Sequence, residues 1–560
     1  RISVLLVAVL EIAAAAGKAA FILPTHSRPQ RPPRTSVRAA WDGVDRFKSL
    51  ISSIGGNGEE QTDVLVVGGG LTGCSLGWSL FKKGADVLVT EARDKVGGNI
   101  ISRTDGKFIW EEGPNTFQPN DAILRLATDV GLKDQLVLAD GSQPRWVFWE
   151  EELYKLPGGL GDLPTFNLLS WPGKIRAGLG ALGFVPPKPT EEESIREFVS
   201  RHLGEEAFMK LIDPFVSGVY AGDPTNLSMR AALKRIYNLQ EMGGPGLLDG
   251  AILRLRQRAQ ERKENPPDAD LPEVKPGQLG SFRDGLKMLC EAVEKRMGPQ
   301  RVRTSWTVDK IERLPDGGFR AIFNTPFGTR IVNAKALAVT TPAAATAKLL
   351  KDMVPQVERY EEIAYPPVAA VALAYPSSSM RRRFYGFGHL IPRANKIRTL
   401  GTIWTSSLFP YRSPDGMELT NSYIGGRQDE DINKLTPKQI AEQVHQDIKR
   451  ILLKDDAPPP RVLGVKVWPR AIPQFEKGHL ELLAEAEEGI AQVPGLFVGG
   501  NFKCGVAIGD CVEYGQTTAD EMIAFIESSS GSSGPAAGER EGEAIDREAE
   551  RQAALRTVLA

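Results

Sequence analysis

The chain has 560 residues, more than one hydrophobic core accommodates, so two or three domains are expected. With 69 lysines and arginines against 70 acids its formal net charge is -1, which excludes the basic surplus of a nucleic-acid binder. The four cysteines, Cys74, Cys290, Cys504 and Cys511, show no C-x-x-C spacing and indicate neither a disulfide framework nor a zinc site.

In chain order, the first feature is an apolar run of signal-peptide length, Val4 to Ala16, broken by Glu11 and followed by Ala19 and Ala20 before Phe21. It is too short to span a bilayer. The next twenty residues, FILPTHSRPQRPPRTSVRAA, are rich in Arg, Pro and Ser and contain no acid, as transit peptides are. Together these features resemble the two-part presequence of algae with complex plastids; a plain basic tail is the alternative. Residues 1–60 are therefore set aside as a disordered targeting presequence.

From Thr62 to Gly106 the pattern is that of a nucleotide-binding βαβ unit. Val64 to Val67 read as a buried strand, and Gly68, Gly70 and Gly73 follow in G-x-G-x-x-G spacing where a helix opens. Gly68 suits the turn, Gly70 the approach of a pyrophosphate, and Gly73 close helix packing, with the helix N-terminus meeting the phosphate charge. The helix Leu71 to Lys83 stops at Gly84, a strand follows at Asp86 to Thr90, and Glu91 then stands where a ribose hydroxyl needs an acceptor. Ala92, Arg93 and the Gly97-Gly98 pair complete an E-x-R-x-x-x-G-G arrangement that resembles the extended signature of FAD enzymes of the amine oxidase type. FAD therefore outranks NAD.

Further on, a helix is expected over Asp121 to Leu132, capped by Asn120 or Asp121, and Arg145 leads an aromatic strand-like run. In a pocket Arg145 would suit a carboxylate through bidentate hydrogen bonds; on the surface it would merely pair with an acid. Residues 161–189 carry many apolar and aromatic side chains beside Lys174 and Arg176, and no acid after Asp162. They suit an interfacial membrane contact with cations toward headgroups, or equally a helical hairpin buried in the protein.

A helix is expected over Glu191 to His202, an irregular small-residue turn over Asp213 to Pro224, an exposed loop over Gln257 to Pro276, and a helix from Gly280 to Arg296. Val302 to Val308 reads as a strand, with Val308 placed to meet an adenine through its backbone. The hairpin Phe319 to Val332, the strand Ala336 to Thr340 and strand-like runs over 366–426 follow, then an amphipathic helix at Thr436 to Leu453 and a strand at Val462 to Trp468. A second glycine-rich turn, PGLFVGGNFKCGVAIG, ends the folded part before a helix at Val512 to Ile526 and can hold a flavin from the opposite side. Beyond Ser528 the tail is low-complexity, with a frayed helix at Ala544 to Leu559.

Read together, WEEGPN, SGVYAGDP, YPPVAAV, LGTIWTSSLFP, YIGG, WPRAIPQF and PGLFVGGNFKCGVAIG resemble plastid-type protoporphyrinogen oxidases, over residues 62–527. The resemblance implies FAD-mediated, oxygen-dependent oxidation of protoporphyrinogen IX to protoporphyrin IX with release of hydrogen peroxide. Arg145 would meet a propionate, Trp404 would stack on one tetrapyrrole ring with Phe387 facing it, and the Gly218 backbone would receive a pyrrole N–H. The cofactor set comprises Gly68, Gly70, Gly73, Glu91, Ala92, Arg93, Gly97, Gly98, Val308, Trp468, Gly500, Asn501, Val506, Ala507 and Ile508. The flavin carries the chemistry, so no catalytic side chain and no metal is assigned.

The implied fold is α/β (α+β). A Rossmann-like FAD-binding domain is built from 61–139, 276–346 and 466–528, a helical membrane-contacting domain from 140–275, a mixed-sheet substrate domain from 347–465, and a disordered tail from 529–560. Peripheral contact with a plastid membrane follows, with a homodimer left open. Two departures stand out: Asp510 where the family carries a basic residue, and a short, arginine-rich connection at Ser377 to Tyr385. An amine oxidase, a carotenoid desaturase and the non-enzymatic GDP-dissociation inhibitors share the scaffold. Arg145 opposes the first two, and Glu91 with the second glycine-rich turn opposes the last.

Overall fold

The computed structural model describes residues 59–530, apart from Leu163, Asn265 and Pro267. The expected presequence features and the helix at Ala544 to Leu559 lie outside the described residues. The first strand begins at Glu59, two residues inside the expected presequence, and the last helix runs to Ser530, into the expected tail.

Two seven-stranded sheets organise the chain. In the first, Glu59–Val67 is the hub, parallel to Val87–Thr90 on one side and to Gly328–Val339 on the other. Val302–Arg303 extends the parallel run beyond Val87–Thr90, Leu496–Val498 lies parallel to Gly328–Val339, and the strands Thr307–Arg313 and Phe319–Thr325 join antiparallel. Val64 to Val67 are buried on both faces because helices cover the sheet, which is why they read as a continuous apolar run and not an alternating one.

Helix Leu71–Lys82 packs on this sheet so closely that a Cβ on Gly77 would lie 2.4 Å from Val89 Cγ2. The C-terminal helix Ile508–Ser530 crosses it where a Cβ on Gly515 would sit 2.8 Å from Leu76 N and Thr72 O. Ser75 Oγ donates to Val512 O at 2.8 Å across the same crossing.

The second sheet runs in the order Arg461–Trp468, Val368–Pro376, Met417–Gly425, Thr399–Ile403, Gly388–Leu390, Arg145–Trp149 and Glu152–Lys155. Its second strand, Val368–Pro376, is almost wholly buried, and helix Pro437–Leu452 backs it with a full capping box between Thr436 and Gln439. The strands Arg145–Trp149 and Glu152–Lys155 belong here, so the expected helical-domain boundary at residue 140 is corrected: the helices begin after residue 155. Trp468 likewise ends a strand of this sheet, although it was grouped with the FAD-binding segments.

The helical region differs from expectation in two more places. Asp213 to Tyr220 is an α-helix entered from a π-turn at Phe208–Ile212, not an irregular turn; Pro214 occupies the first turn, where a missing N–H costs nothing. Residues 257–264 belong to helix Leu247–Glu264 and not to an exposed loop. The helix expected from Gly280 starts only at Met288, because Gly280–Phe282 is a strand paired with Leu136–Leu138.

A buried ion pair ties the parts together. Arg412, beyond the second sheet's Trp404 turn, reaches Glu111 at 3.5 Å and donates to Ser281 Oγ and Phe282 O at 2.7 and 2.9 Å. Both charged side chains are inaccessible to solvent, and burial pushes the Glu111 carboxyl up to about 7 against the pull of Arg412 and Ser102.

Candidate active site

The pyrophosphate end of the site is made of backbone. Gly70 caps helix Leu71–Lys82 in an extended conformation, with no side-chain cap and no acid in the first turn, which leaves the leading N–H groups for an anion. A Cβ on Gly70 would meet nothing within 4 Å, so space stands open where a phosphate would lie. At Gly73 a Cβ would fall 1.9 Å from the Gly68 carbonyl oxygen, and Gly68 itself has φ 114°. Gly98 approaches closely, its would-be Cβ 3.3 Å from Gly70 Cα, and Gly97 N donates to Gly69 O at 2.8 Å. The second glycine pair is thus laid directly against the first loop.

Glu91 is held at the motif through both carboxylate oxygens, Oε2 accepting from Gly69 N and Oε1 from Arg93 N, each at 2.9 Å. Its carbonyl accepts from Trp306 N, which fixes the start of the strand that carries Val308 two residues later. Ala92 and Arg93 are exposed beside it. A cradle that a Cβ would fill, an uncapped helix end and a fixed acid fit the adenosine diphosphate part of FAD.

The opposite side forms where Leu496–Val498 enters Gly500, at φ 133°, and the chain turns through Asn501–Cys504 into helix Ile508–Ser530. A cavity of about 490 Å³ lies between this turn, the second sheet and the helix Asp213–Tyr220. Asn501, Val506, Ala507, Ile508, Trp468 and Gly218 all line it. Trp468 is fixed by donating Nε1–H to Glu112 O at 2.6 Å. Gly218 packs closely there, and a Cβ, 2.5 Å from Leu390 Cδ2, would make that leucine turn aside.

The expected substrate residues divide. The Arg145 guanidinium lies over the Phe387 ring, 5.5 Å from its centroid, and no acid among the described residues pairs with it. Burial alone pulls its pKa down, with no carboxylate to oppose the shift. Phe387 and Ile403 pack against the same small cluster of Ala139, Leu408 and Phe409, and of these residues Ile403 lines the cavity whereas Arg145 and Phe387 do not.

Trp404 is placed differently from the expectation. It is 1% exposed, stacked on Phe384 at 4.9 Å and near Trp146 at 6.4 Å, and its Nε1–H donates to His389 Nδ1 at 3.1 Å. The ring-stacking expectation for Trp404 is therefore corrected. Its indole is covered by the short connection at Ser377 to Tyr385, which brings Phe384 over it, and Ile403 faces the cavity in its place. His389 can accept that bond because burial holds it neutral, its pKa pulled down to about 3.

Asp510 also gains a physical account. It pairs with Arg235 Nη2 at 3.3 Å, so its charge at the cofactor turn is met by a cation, and burial pushes its carboxyl up. Sequence reasoning missed Arg235 as a cavity residue. It missed Asn115 as well, which is 5% exposed beside the Tyr423 hydroxyl and makes no hydrogen bond of full geometry. The WEEGPN run was the available signal for Asn115; Arg235 had none.

Residues 71–523 match the family of flavin containing amine oxidoreductases. Protoporphyrinogen oxidase 1, chloroplastic, of Spinacia oleracea is 44% identical over 480 residues, 83% of this chain and 84% of that protein. The chain belongs to the protoporphyrinogen oxidase family. The Arabidopsis thaliana relative of the same name is 42% identical over 90% of this chain and 97% of its own length. Cyclohexylamine oxidase from Brevibacterium oxydans IH-35A shares the fold, with a TM-score of 0.58 at 17% identity over 83% of this chain and 99% of that one. The protein is thus a plastid-type, FAD-dependent oxidoreductase on the amine oxidase scaffold.

Proposed function

We propose that the protein oxidises protoporphyrinogen IX to protoporphyrin IX in tetrapyrrole biosynthesis, with FAD as cofactor, oxygen as final acceptor and hydrogen peroxide as by-product. The observation that carries this reading is a cavity shared by the second glycine-rich turn, Trp468 and the second sheet, in a chain whose first glycine-rich loop leaves space for a pyrophosphate. Bound FAD supplies the hydride acceptor; the side chains named here bind and orient.

Arg145 would pin a propionate through charge-assisted hydrogen bonds, its guanidinium kept flat by the Phe387 face. Gly218 lies in the last turn of helix Asp213–Tyr220, where carbonyls are left without helical partners, and that supports its acceptance of a pyrrole N–H. The cavity lining is largely apolar, which suits a macrocycle and excludes water from the reacting carbon.

The same reading places the protein against a plastid membrane as a peripheral protein. No helix among the described residues is long and apolar enough to cross one. Trp171, Ile175 and Leu179 recur every fourth residue on helix Trp171–Ala181 and are 68%, 59% and 46% exposed, and Phe184 beyond it is 71% exposed. That row supports an interfacial contact. The flanking cations do not: Lys174 is buried over the Trp171 ring, and Arg176 caps the carbonyls of Ser200, Arg201 and His202.

An aerobic assay with protoporphyrinogen IX tests the activity. Protoporphyrin fluorescence should rise well above spontaneous oxidation, with peroxide formed alongside; a rate equal to that without enzyme would overturn the reading.

A further inference from the structure

The second cofactor turn is bracketed by two thiols. Cys504 ends the short helix Asn501–Cys504 and Cys511 lies in the first turn of helix Ile508–Ser530. Their sulfurs are 3.8 Å apart, and both point at the Gly505 carbonyl oxygen, at 3.7 and 3.6 Å. Between them run Val506, Ala507 and Ile508, which line the cavity. Cys504 is the partly exposed member; Cys511, Cys74 and Cys290 are buried.

We propose that Cys504 and Cys511 form a reversible disulfide under hydrogen peroxide, and that closing it weakens the hold on FAD. A disulfide needs its sulfurs about 2.05 Å apart, so the two sulfurs approach by roughly 1.8 Å and draw the turn that carries them inward. That movement is shared by Val506, Ala507 and Ile508 and displaces them from the cofactor.

The chemistry balances in two steps. The Cys504 sulfur attacks one peroxide oxygen, breaks the O–O bond and becomes a sulfenic acid, and the first water departs. The Cys511 sulfur then attacks the sulfenic sulfur and expels the second water. Overall, two thiols are oxidised to one disulfide while one peroxide is reduced to two waters. The neighbouring Cys511 thiol, and after it burial, pushes Cys504 up, which makes the pair slow toward peroxide and responsive to sustained exposure. The proposed oxidase activity matters here only as a source of peroxide within the same cavity.

The test uses purified holoenzyme and added hydrogen peroxide, followed by alkylation and peptide mass mapping, with free flavin fluorescence read in parallel. The expected result is a peptide pair joined through Cys504 and Cys511, lighter by two hydrogens, and a severalfold rise in free flavin, both reversed by dithiothreitol. Cys504→Ser should abolish the link and the flavin release, and Cys511→Ser should leave Cys504 as a sulfenic acid trapped by dimedone. Terminal oxidation of Cys504 without a link, a Cys74 to Cys290 link in its place, or a link with no flavin release would overturn the proposal. A disulfide that forms in a protein without oxidase activity would leave this inference standing and remove the functional reading.

Discussion

The guanidinium of Arg145 stacks on the ring of Phe387, 5.5 Å from its centroid, and meets no acid among the described residues. A half-buried cation held by an aromatic face without a counter-ion is a costly arrangement unless a ligand completes it. We expect Arg145→Ala to keep FAD and the fold and to lose about 10- to 150-fold in apparent substrate affinity, since a charge-assisted bond contributes roughly 1.5 to 3 kcal/mol. Arg145→Lys should recover only part of this, because an ammonium cannot make two parallel bonds. kcat/KM for the free acid and its propionate diester checks both; an undiminished preference for the acid in the alanine variant removes Arg145 as the anchor.

Gly70 and Gly73 separate cofactor binding from folding. Because a Cβ on Gly70 meets nothing, Gly70→Leu should give a folded protein that fails to retain FAD. It should also lose the ligand's contribution to stability, about 2.7 kcal/mol at 100 times the dissociation constant. Gly73→Leu should not fold, as even its Cβ would lie 1.9 Å from Gly68 O. Flavin absorbance and circular dichroism read the two outcomes, and full FAD occupancy in the Gly70 variant contradicts the assignment.

The membrane contact is tested at exposed positions. Leu168 and Leu169 are 1% and 3% exposed and belong to the helical core, so truncating either to Ala should cost about 2 to 5 kcal/mol in stability. Ile175→Glu with Leu179→Glu should leave melting and flavin absorbance unchanged and release the protein from liposomes. Unchanged liposome binding in that double variant removes this helix face from the contact.

Acid sensitivity should come from buried neutral histidines. His389 is pulled down to about 3, and His202 and His479 to about 4, chiefly by burial. A folded pKa below the unfolded value near 6.5 means that their stabilisation is complete above about pH 6.5 and is lost as pH falls toward the folded values. Glu111, raised to about 7, has the opposite sign: its contribution is complete below about pH 4.5 and is lost as pH rises through 7. The melting temperature should therefore fall between about pH 6.5 and 5, and less steeply in His389→Asn, which keeps an acceptor for Trp404 Nε1–H. An equal slope in the variant contradicts the role of His389.

What the chain disclosed in advance was local. The Gly68 to Gly73 turn, the position of Glu91 and the second glycine-rich turn are set by residues a few places apart, and backbone geometry there allows few alternatives. The burial of Trp404 depends on Trp146 arriving from another strand of the second sheet and on Phe384 arriving from the Ser377 to Tyr385 connection, and no spacing in the LGTIWTSSLFP run encodes that. The pairing of Arg145–Trp149 with Gly388–Leu390, more than 200 residues later, was likewise not legible, because the strand-like run at Arg145 carries no sign of its partner. Helix Asp213–Tyr220 was hidden because its proline and small residues resemble a turn, although Pro214 sits where helices tolerate it. In residues 161–189, hydrophobicity alone could not divide Leu168, which is core, from Trp171, which is exposed.

The most direct test of the account is anaerobic rapid mixing of the holoenzyme with protoporphyrinogen IX, following flavin absorbance and porphyrin fluorescence together. The account predicts that the oxidised flavin band bleaches on mixing, that admitting oxygen restores it, and that protoporphyrin fluorescence then grows as turnover proceeds. A flavin band that stays unbleached under saturating protoporphyrinogen IX would contradict it.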